Sequence, residues 1–268
     1  YTALRRSGVD VLAHPNRFSL MAGLTQKKLA PLPAENFPFH FQYGYHFDSV
    51  LIGKFLRGKA KESGVSHIEG TVETVEQDSD GNIKALKLKN GEILSGDFFI
   101  DCSGFASILL QRTLKVPFLS FSENLFNDSA VALPTEIEAD APVETLSTAL
   151  TNGWAWKIPL TNRFGNGYVF SSQYCSPDEA ETELRAHLGV LDSDVEARHL
   201  KMKVGRAQES WSKNCLAVGL SQGFIEPLEA TALQFVYSTI DQFAQALEQG
   251  GFTNEHREAF NEQMNANF

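Results

Sequence analysis

Apolar residues recur at helical spacing in three parts of the chain. From Asp48 they follow one face of a helix that Gly64 ends, and the Asp48 carboxylate suits an N-cap because it can accept hydrogen bonds from the first-turn amides. A second helix is predicted at about 177–189, where proline and acidic residues form the first turn. A third is predicted between Thr231 and Gly250-Gly251. Its expected apolar face consists of Leu233, Val236, Ile240, Phe243 and Leu247.

Residues 65–101 predict short strands joined by turns. Asp80-Gly81-Asn82 and Asn90-Gly91 are turn signals, and the apolar run at 98–101 leads into Cys102-Ser103-Gly104. An apolar strand that ends in small residues is typical of a buried parallel strand that meets a ligand at its carboxyl end. The run Asn214–Gly219 predicts a second strand of this kind.

Residues 116–211 predict mainly antiparallel strands, whereas residues 1–44 predict loops with short helical pieces. We interpret Gly165-Asn166-Gly167 as one of the turns that separate the strands. Within one strand, Trp154 and Trp156 point to the same face because side chains alternate. Two adjacent indoles form a rigid wall that can line a cavity or fill a core. The strand-like runs are 129–135, 144–151, 154–159 and 167–174.

Composition narrows the function classes. The chain has 268 residues, a formal net charge of −10 and no basic patch, which argues against a nucleic-acid partner. Its three cysteines are widely spaced without a CxxC motif, and its histidines lack metal-ligand spacing, so neither a disulfide scaffold nor a metal site is expected. No apolar run reaches membrane-spanning length and no secretory leader is visible, so we expect a cytoplasmic protein. We also expect a fragment of a longer protein, because the sequence opens without Met and stops just after a predicted helix.

The stretch around Val218-Gly219 could hold a flavin. A strand end, a loop of small residues and a helix N-terminus permit close backbone approach and favour an anion. The same junction is common in α/β proteins of other functions. Glu229, near the start of the third helix, could carry acid–base chemistry or merely offset the helix dipole.

Four motifs resemble those of the flavin-dependent halogenases, the tryptophan-halogenase family, and they occur in the family's order. The resemblance extends from about residue 40 to the C-terminus. The motifs are Tyr45-His46-Phe47-Asp48, Asp101-Cys102-Ser103-Gly104, Gly153-Trp154-Ala155-Trp156-Lys157-Ile158-Pro159, and Val218-Gly219-Leu220-Ser221 through Glu226-Pro227-Leu228-Glu229.

The resemblance implies an α/β (α+β) fold of the FAD-binding aromatic-hydroxylase type with mixed β-sheets, incomplete at both ends. Residues 1–44 would be the N-terminal segment of the substrate region, and 45–115 part of the FAD-binding region. Residues 116–211 would form the antiparallel substrate-binding sheet. Residues 212–249 would form the FAD-binding and active-site strand, loop and helix, and 250–268 a C-terminal helix.

The resemblance also implies roles for individual residues. Glu229 would be catalytic, the backbone amides of Thr231 and Ala232 would bind the halide, and Trp154 and Trp156 would separate flavin from substrate. The residues expected to contact FAD are Val72, Asp101, Gly104, Gly219, Leu220, Ser221 and Leu233.

The implied reaction is chlorination or bromination of an electron-rich aromatic such as tryptophan or another indole, a pyrrole or a phenol. It would use O2, halide and FADH2, which a separate flavin reductase would supply by diffusion. A homodimer is compatible with the resemblance. An aromatic monooxygenase of the same fold and an inactive flavin-fold binding module are the alternatives.

The chain departs from the family pattern at several points. Ala230 stands where many tryptophan-specific members have Ser, and Ala232 where many have Gly, which weakens the case for free tryptophan as the substrate. The sequence contains no G-x-G-x-x-G, and none of its lysines matches the family's catalytic-lysine motif. We therefore expect these 268 residues alone to bind flavin poorly and to be inactive.

Overall fold

The structure is a computed structural model that describes residues 2–9, 16, 19–30, 32, 34–38 and 43–268, with only the backbone of Glu229. The helices are α1 (Thr2–Arg6), α2 (Leu20–Gln26), α3 (Ser49–Glu62), α4 (Pro177–Leu188), α5 (Ala232–Gln249) and α6 (Arg257–Asn267). The strands are β1 (Val72–Gln77), β2 (Ile83–Leu88), β3 (Ile93–Ser95), β4 (Phe99–Asp101), β5 (Phe118–Ser120), β6 (Ser129–Thr135), β7 (Leu146–Leu150), β8 (Gly153–Pro159), β9 (Phe164–Phe170), β10 (Arg198–Lys201), β11 (Gly205–Ala207), β12 (Trp211–Ser212), β13 (Cys215–Ala217) and β14 (Gly223–Phe224).

These strands form four sheets. The largest is antiparallel, in the order β10-β6-β9-β8-β7, and α4 packs on one of its faces. The three smaller sheets have the orders β1-β2-β3, β14-β11-β5 and β12-β13-β4. None of the helices in the described part of the chain combines the length and apolar character that crossing a bilayer requires.

The helix termini follow the predicted capping chemistry. The Asp48 carboxylate accepts hydrogen bonds from the backbone N–H groups of Val50 at 2.9 Å and Leu51 at 3.1 Å, so α3 begins as predicted. Ser176 and Glu179 form a reciprocal capping box at the start of α4. In both helices, a few local side chains thus determine where the helix begins.

The long helix α5 has the predicted length, but its predicted apolar face is partly wrong. Phe243 is buried against Trp211, yet Leu233 is 62% exposed and Ile240 is 53% exposed. The inward stripe instead includes Thr239, which is 1% exposed and donates its hydroxyl to Gln222 Oε1 at 3.2 Å. Helical spacing identifies apolar stripes but does not show which stripe packs inward.

The predicted parallel pairing is confirmed, because β4 and β13 run parallel with Asp101 opposite Ala217. In β13, the side chains of Cys215 and Ala217 are fully buried. β4 is buried on one face only, because Phe99 and Asp101 are buried whereas Ile100 is 55% exposed. The predicted burial of this strand is therefore confirmed for one face of β4 and wrong for the other.

The antiparallel sheet confirms strands near the predicted positions, but the predicted turn at Gly165-Asn166-Gly167 is wrong. These residues lie inside β9, and the chain reverses between Leu160 and Arg163, which share a backbone hydrogen bond of 2.9 Å. Gly167 is there because β9 passes under a large ring at this position. A Cβ on Gly167 would lie 2.1 Å from Cζ2 of Trp156.

Candidate active site

A cavity of about 500 Å³ lies on the face of the large sheet that carries the two tryptophans. Trp154, Trp156 and Ile158 line it, whereas Ala155 between them is buried on the opposite face. The indole ring centroids are 6.1 Å apart with planes inclined at 57°. The prediction that the two indoles share a face is confirmed. The other lining residues are Thr145, Ser147, Pro227, Leu228, Ala230, Ala232 and Leu233.

The Trp154 side chain is held by a hydrogen bond. Its indole N–H donates to Glu226 Oε1 at 2.5 Å, and the same oxygen accepts a second hydrogen bond of 2.7 Å from the Asn127 side-chain amide. Trp156 instead lies over the bare backbone of Gly167. A hydrogen bond from its indole N–H therefore orients Trp154, whereas the missing side chain of Gly167 makes room for the ring of Trp156.

The segment opposite this wall is a tight turn that leads into α5. Pro227–Glu229 forms a single 3₁₀ turn, and Ala230 follows in the left-handed region at φ +53°. An alanine enters this region only at an energetic cost. The backbone of Glu229 lies in this turn, but its side chain is outside the described part of the structure. The catalytic role predicted for Glu229 stays a prediction.

The N-terminus of α5 opens at the same cavity, because Ala232 and Leu233 line it. The first amides of a helix have no intrahelical acceptors, and the Thr231 side chain does not cap them. A partial positive charge therefore lies where Thr231 and Ala232 were predicted to hold a halide. The geometry permits an anion there.

A second, smaller cavity of about 140 Å³ lies beside the carboxyl end of β13. Gly219 and Leu220 line it together with Ala232 and Leu233, so it adjoins the first cavity. Gly219 follows β13 at φ +69°, and Gly104 follows the neighbouring β4 at φ +67°. A Cβ added at Gly104 would meet no atom within 4 Å. Both parallel strands are thus followed by a glycine with positive φ, and the space next to Gly104 is open.

The polar groups of Asp101 and Ser221 are used inside the protein. Asp101 is 1% exposed, and its Oδ2 accepts hydrogen bonds from the amides of Leu109 at 2.8 Å and Leu110 at 2.9 Å. The Ser221 hydroxyl is fully buried and donates to the Asp101 carbonyl. These two side chains hold the strand ends in place and are not available for contact with a ligand.

Val72 lies apart from the other predicted site residues. It begins β1, pairs with Leu88 in the β1-β2-β3 sheet, and lines neither cavity. The structure thus brings together both tryptophans, Gly219, Leu220, the start of α5 and the turn of Glu229.

Two further cavities flank the large sheet. One of about 810 Å³ continues from the tryptophan cavity, with which it shares Thr145, Ile158, Ala230 and Leu233, and extends to α2 and to the predicted motif at Tyr45–Phe47. His46 and Thr145 share a hydrogen bond of 3.0 Å beside it. Another, of about 610 Å³, lies on the α4 side and contains no predicted site residue. The candidate site is therefore on the tryptophan face.

The model of the family described as "Tryptophan halogenase" matches residues 13–268. The chain belongs to the tryptophan halogenase family. This halogenase-family chain is 43% identical over 224 residues to tryptophan 6-halogenase SttH of Streptomyces toxytricini, an alignment that covers 82% of the chain and 43% of SttH. It is 42% identical over 205 residues to tryptophan 7-halogenase RebH of Lentzea aerocolonigenes, covering 75% of the chain and 38% of RebH.

Solved halogenases share the fold of this family member. BrvH, a flavin-dependent halogenase from Brevundimonas sp. BAL3, superimposes with a TM-score of 0.89 at 34% identity, over 99% of the chain and 55% of BrvH. The predicted family and α/β fold are confirmed. The chain spans 43% of the length of SttH and about half of BrvH.

Sequence reasoning missed Glu226, Asn127 and Gly167 in this halogenase-family site. Glu226 stands in a recognised motif, but its partner Asn127 is 99 positions away, which no local pattern reveals. The sequence does contain a signal that Gly167 lies in a strand. Gly165 and Gly167 are two positions apart, which is the spacing of residues on one face of a strand.

Proposed function

We propose that the protein halogenates an electron-rich aromatic compound, using reduced FAD, O2 and chloride or bromide. The observation that carries the proposal is the cavity in which the tryptophan wall of Trp154 and Trp156 faces the turn of Glu229 and the start of α5. The names of SttH and RebH assign tryptophan halogenation to those relatives, which supports the same reaction class for this protein.

The residues present fit a flavin ring at the ends of β4 and β13. Gly104 and Gly219 both have positive φ, and the space next to Gly104 is open, so a planar ring can approach the backbone without meeting a Cβ. This is the edge at which parallel strands place ligands in α/β proteins. Bound there, reduced FAD would supply the electrons that activate O2 for oxidation of the halide. A separate flavin reductase would provide it.

The start of α5 would bind the halide. The free amides around Thr231 and Ala232 combine hydrogen-bond donors with the positive end of the helix dipole. Leu233 lines both the tryptophan cavity and the cavity at Gly219. An anion held here would therefore lie between the proposed flavin edge and the substrate.

The tryptophan wall would exclude water and orient the substrate. Trp154, Trp156 and Ile158 present a continuous apolar face to the cavity, on which an aromatic ring can stack. Exclusion of water protects a reactive halogen species from hydrolysis. The described lining residues carry no charged side chain, which suits an indole or phenol ring, including the ring of tryptophan.

Glu229 would act as the base. Electrophilic substitution leaves the aromatic carbon with an extra proton, and a positioned carboxylate removes that proton faster than bulk water does. The backbone of Glu229 lies between the lining residues Leu228 and Ala230, which places the residue at the edge of the cavity.

Bromination tests this proposal directly. The complete protein, with any residues that flank this chain, would be incubated with a flavin reductase, NADH, FAD, bromide and a panel that includes tryptophan, indole and phenol, and products would be analysed by mass spectrometry. We expect a bromine isotope doublet that disappears in Glu229→Gln and persists in Glu258→Gln, a control in the first turn of α6. An oxygen adduct in place of bromine would instead establish a monooxygenase and overturn the proposal.

A further inference from the structure

We infer that Glu226 is a positioning residue that sets the distance between the tryptophan wall and the turn of Glu229. Its carboxylate oxygen Oε1 accepts hydrogen bonds from both the Trp154 indole and the Asn127 amide, at 2.5 Å and 2.7 Å. The inference rests on the proposed function, since the wall and the turn are the two sides of the proposed active site.

The two donors come from different parts of the fold. Trp154 lies on β8, whereas Asn127 precedes β6, two strands away in the same sheet. A single oxygen therefore ties the turn to two separate points of the large sheet. Two hydrogen bonds to one oxygen fix the direction of the contact as well as its distance.

The Asn127 end of this link is itself held firmly. The adjacent residue Asp128 accepts hydrogen bonds from the backbone amide of Ser172 at 2.7 Å and from its hydroxyl at 2.6 Å. The backbone carbonyl of Asp128 accepts another of 2.7 Å from the amide of Met202. The side chain and the backbone carbonyl of its neighbour Asp128 are both hydrogen bonded. We therefore expect Asn127 to keep a fixed position at the end of the sheet.

The turn needs such an anchor. Leu228 at its centre is 55% exposed, so packing does not hold it, and Ala230 occupies the costly left-handed region. A backbone in a sparsely populated conformation persists only where the surrounding structure constrains it. The segment is constrained at its start by Glu226 and at its end by α5. Without Glu226, the turn would relax away from the wall and carry Glu229 with it.

Variants of Glu226 should differ in activity according to whether they keep the hydrogen-bond acceptor. Glu226→Gln keeps an oxygen at the same place and can still accept both hydrogen bonds, whereas Glu226→Ala removes the link. Trp154→Phe retains an aromatic wall but removes one of the two donors. If Glu226 acts through Trp154, the effect of Glu226→Ala must be smaller in the Trp154→Phe background.

The experiment measures kcat and KM for bromination by these variants, with the fraction of reduced flavin converted into product. We expect Glu226→Ala to lower kcat about ten- to a hundredfold, as displacement of a catalytic group by about 1 Å does. KM for the aromatic should stay within about threefold, because the wall remains. Glu226→Gln should retain kcat within about threefold of the wild type.

Glu179→Ala provides a control of matched character. It removes a hydrogen-bonded glutamate from the capping box of α4, which lies on the other side of the sheet and lines neither site cavity. Its kcat should equal that of the wild type.

Three results would overturn the inference in different ways. An equal loss in Glu226→Gln and Glu226→Ala would show that the charge itself takes part in the chemistry. A kcat in Glu226→Ala no lower than in Glu179→Ala would show that the link has no functional consequence. A complete wild-type protein, tested with any residues that flank this chain, that brominates nothing on the panel would overturn the proposed function, and the inference with it.

Discussion

A methyl group at Gly167 tests how closely strand β9 packs under the Trp156 ring. The Cβ of Gly167→Ala would lie 2.1 Å from Cζ2 and 2.2 Å from Cη2 of that ring. Carbon atoms in contact are normally about 3.5–4.0 Å apart, so the indole must retreat by about 1.5 Å. Overpacking of this size costs about 1–3 kcal/mol. For a protein of this length, each kcal/mol lowers the Tm by about 2–4 °C.

Gly165→Ala is the matched control, since it lies two residues away on the same face of β9. Its added Cβ would approach only Nη1 of the flexible Arg163 side chain, at 3.4 Å. We expect the free energy of unfolding to stay within about 0.5 kcal/mol of the wild type. The assay is urea unfolding followed by tryptophan fluorescence, supported by thermal melts.

A double-mutant cycle isolates the contact. Trp156→Leu removes the ring, so Gly167→Ala should cost at least about 1 kcal/mol less in that background. If Gly167→Ala is as stable as Gly165→Ala, or if the cost of Gly167→Ala is the same with and without the ring, then the Trp156 ring is not what excludes a side chain at this position.

Two further predictions concern titration and thiol chemistry. Burial opposes ionisation of Asp128, but the hydrogen bonds from Ser172 outweigh it and hold the pKa of the carboxyl below its ordinary 3.8. Its stabilisation is therefore complete well above pH 3.8 and is lost as the pH falls through the lowered pKa. The difference in unfolding free energy between wild type and Asp128→Asn should shrink between about pH 5 and pH 3, and a constant difference would contradict this. Burial raises the pKa of Cys215 to about 12 and also raises that of Cys175, whereas Cys102 is exposed with a pKa raised by desolvation and by Asp101. At pH 8 a maleimide should label one thiol of the native protein and all three after unfolding, and three labels on the native protein would refute the assignment.

Local chemistry made much of the fold predictable from sequence. The start of α4 followed from the Ser176–Glu179 box, and the shared face of Trp154 and Trp156 followed from strand alternation. In both cases the determining residues are within a few positions of one another. Such features depend on backbone geometry that the rest of the molecule does not alter.

The errors came from contacts between distant segments. Gly165 and Gly167 have the composition of a turn, and only the ring of Trp156 on the adjacent strand explains why Gly167 lies within β9. The exposure of Ile240 depends on which side of α5 meets Trp211 and Phe260. In the site, the backbone groups at Gly104 and Gly219 could be inferred from strand ends, whereas the link of Glu226 to Asn127 could not.

The parallel pair at the base of the site joins distant parts of the chain. Ser221 and Asp101, which are hydrogen bonded there, are 120 positions apart. Closing a flexible loop of that length in one step costs on the order of 4 kcal/mol in chain entropy. The strand pairings between them, however, are nested. β7 pairs with β8, β8 with β9, β9 with β6, β6 with β10 and β5 with β11 before β4 meets β13.

Each pairing in this series brings the next two strands close together. Once β5 and β11 have met, only short segments separate them from β4 and β13, and the remaining closure costs on the order of 1 kcal/mol less than the direct one. The chain can therefore fold from the tryptophan hairpin outwards. The parallel strands β4 and β13, which lie at the proposed flavin edge, would then be the last to pair. The tryptophan wall of the site would therefore form before the flavin edge.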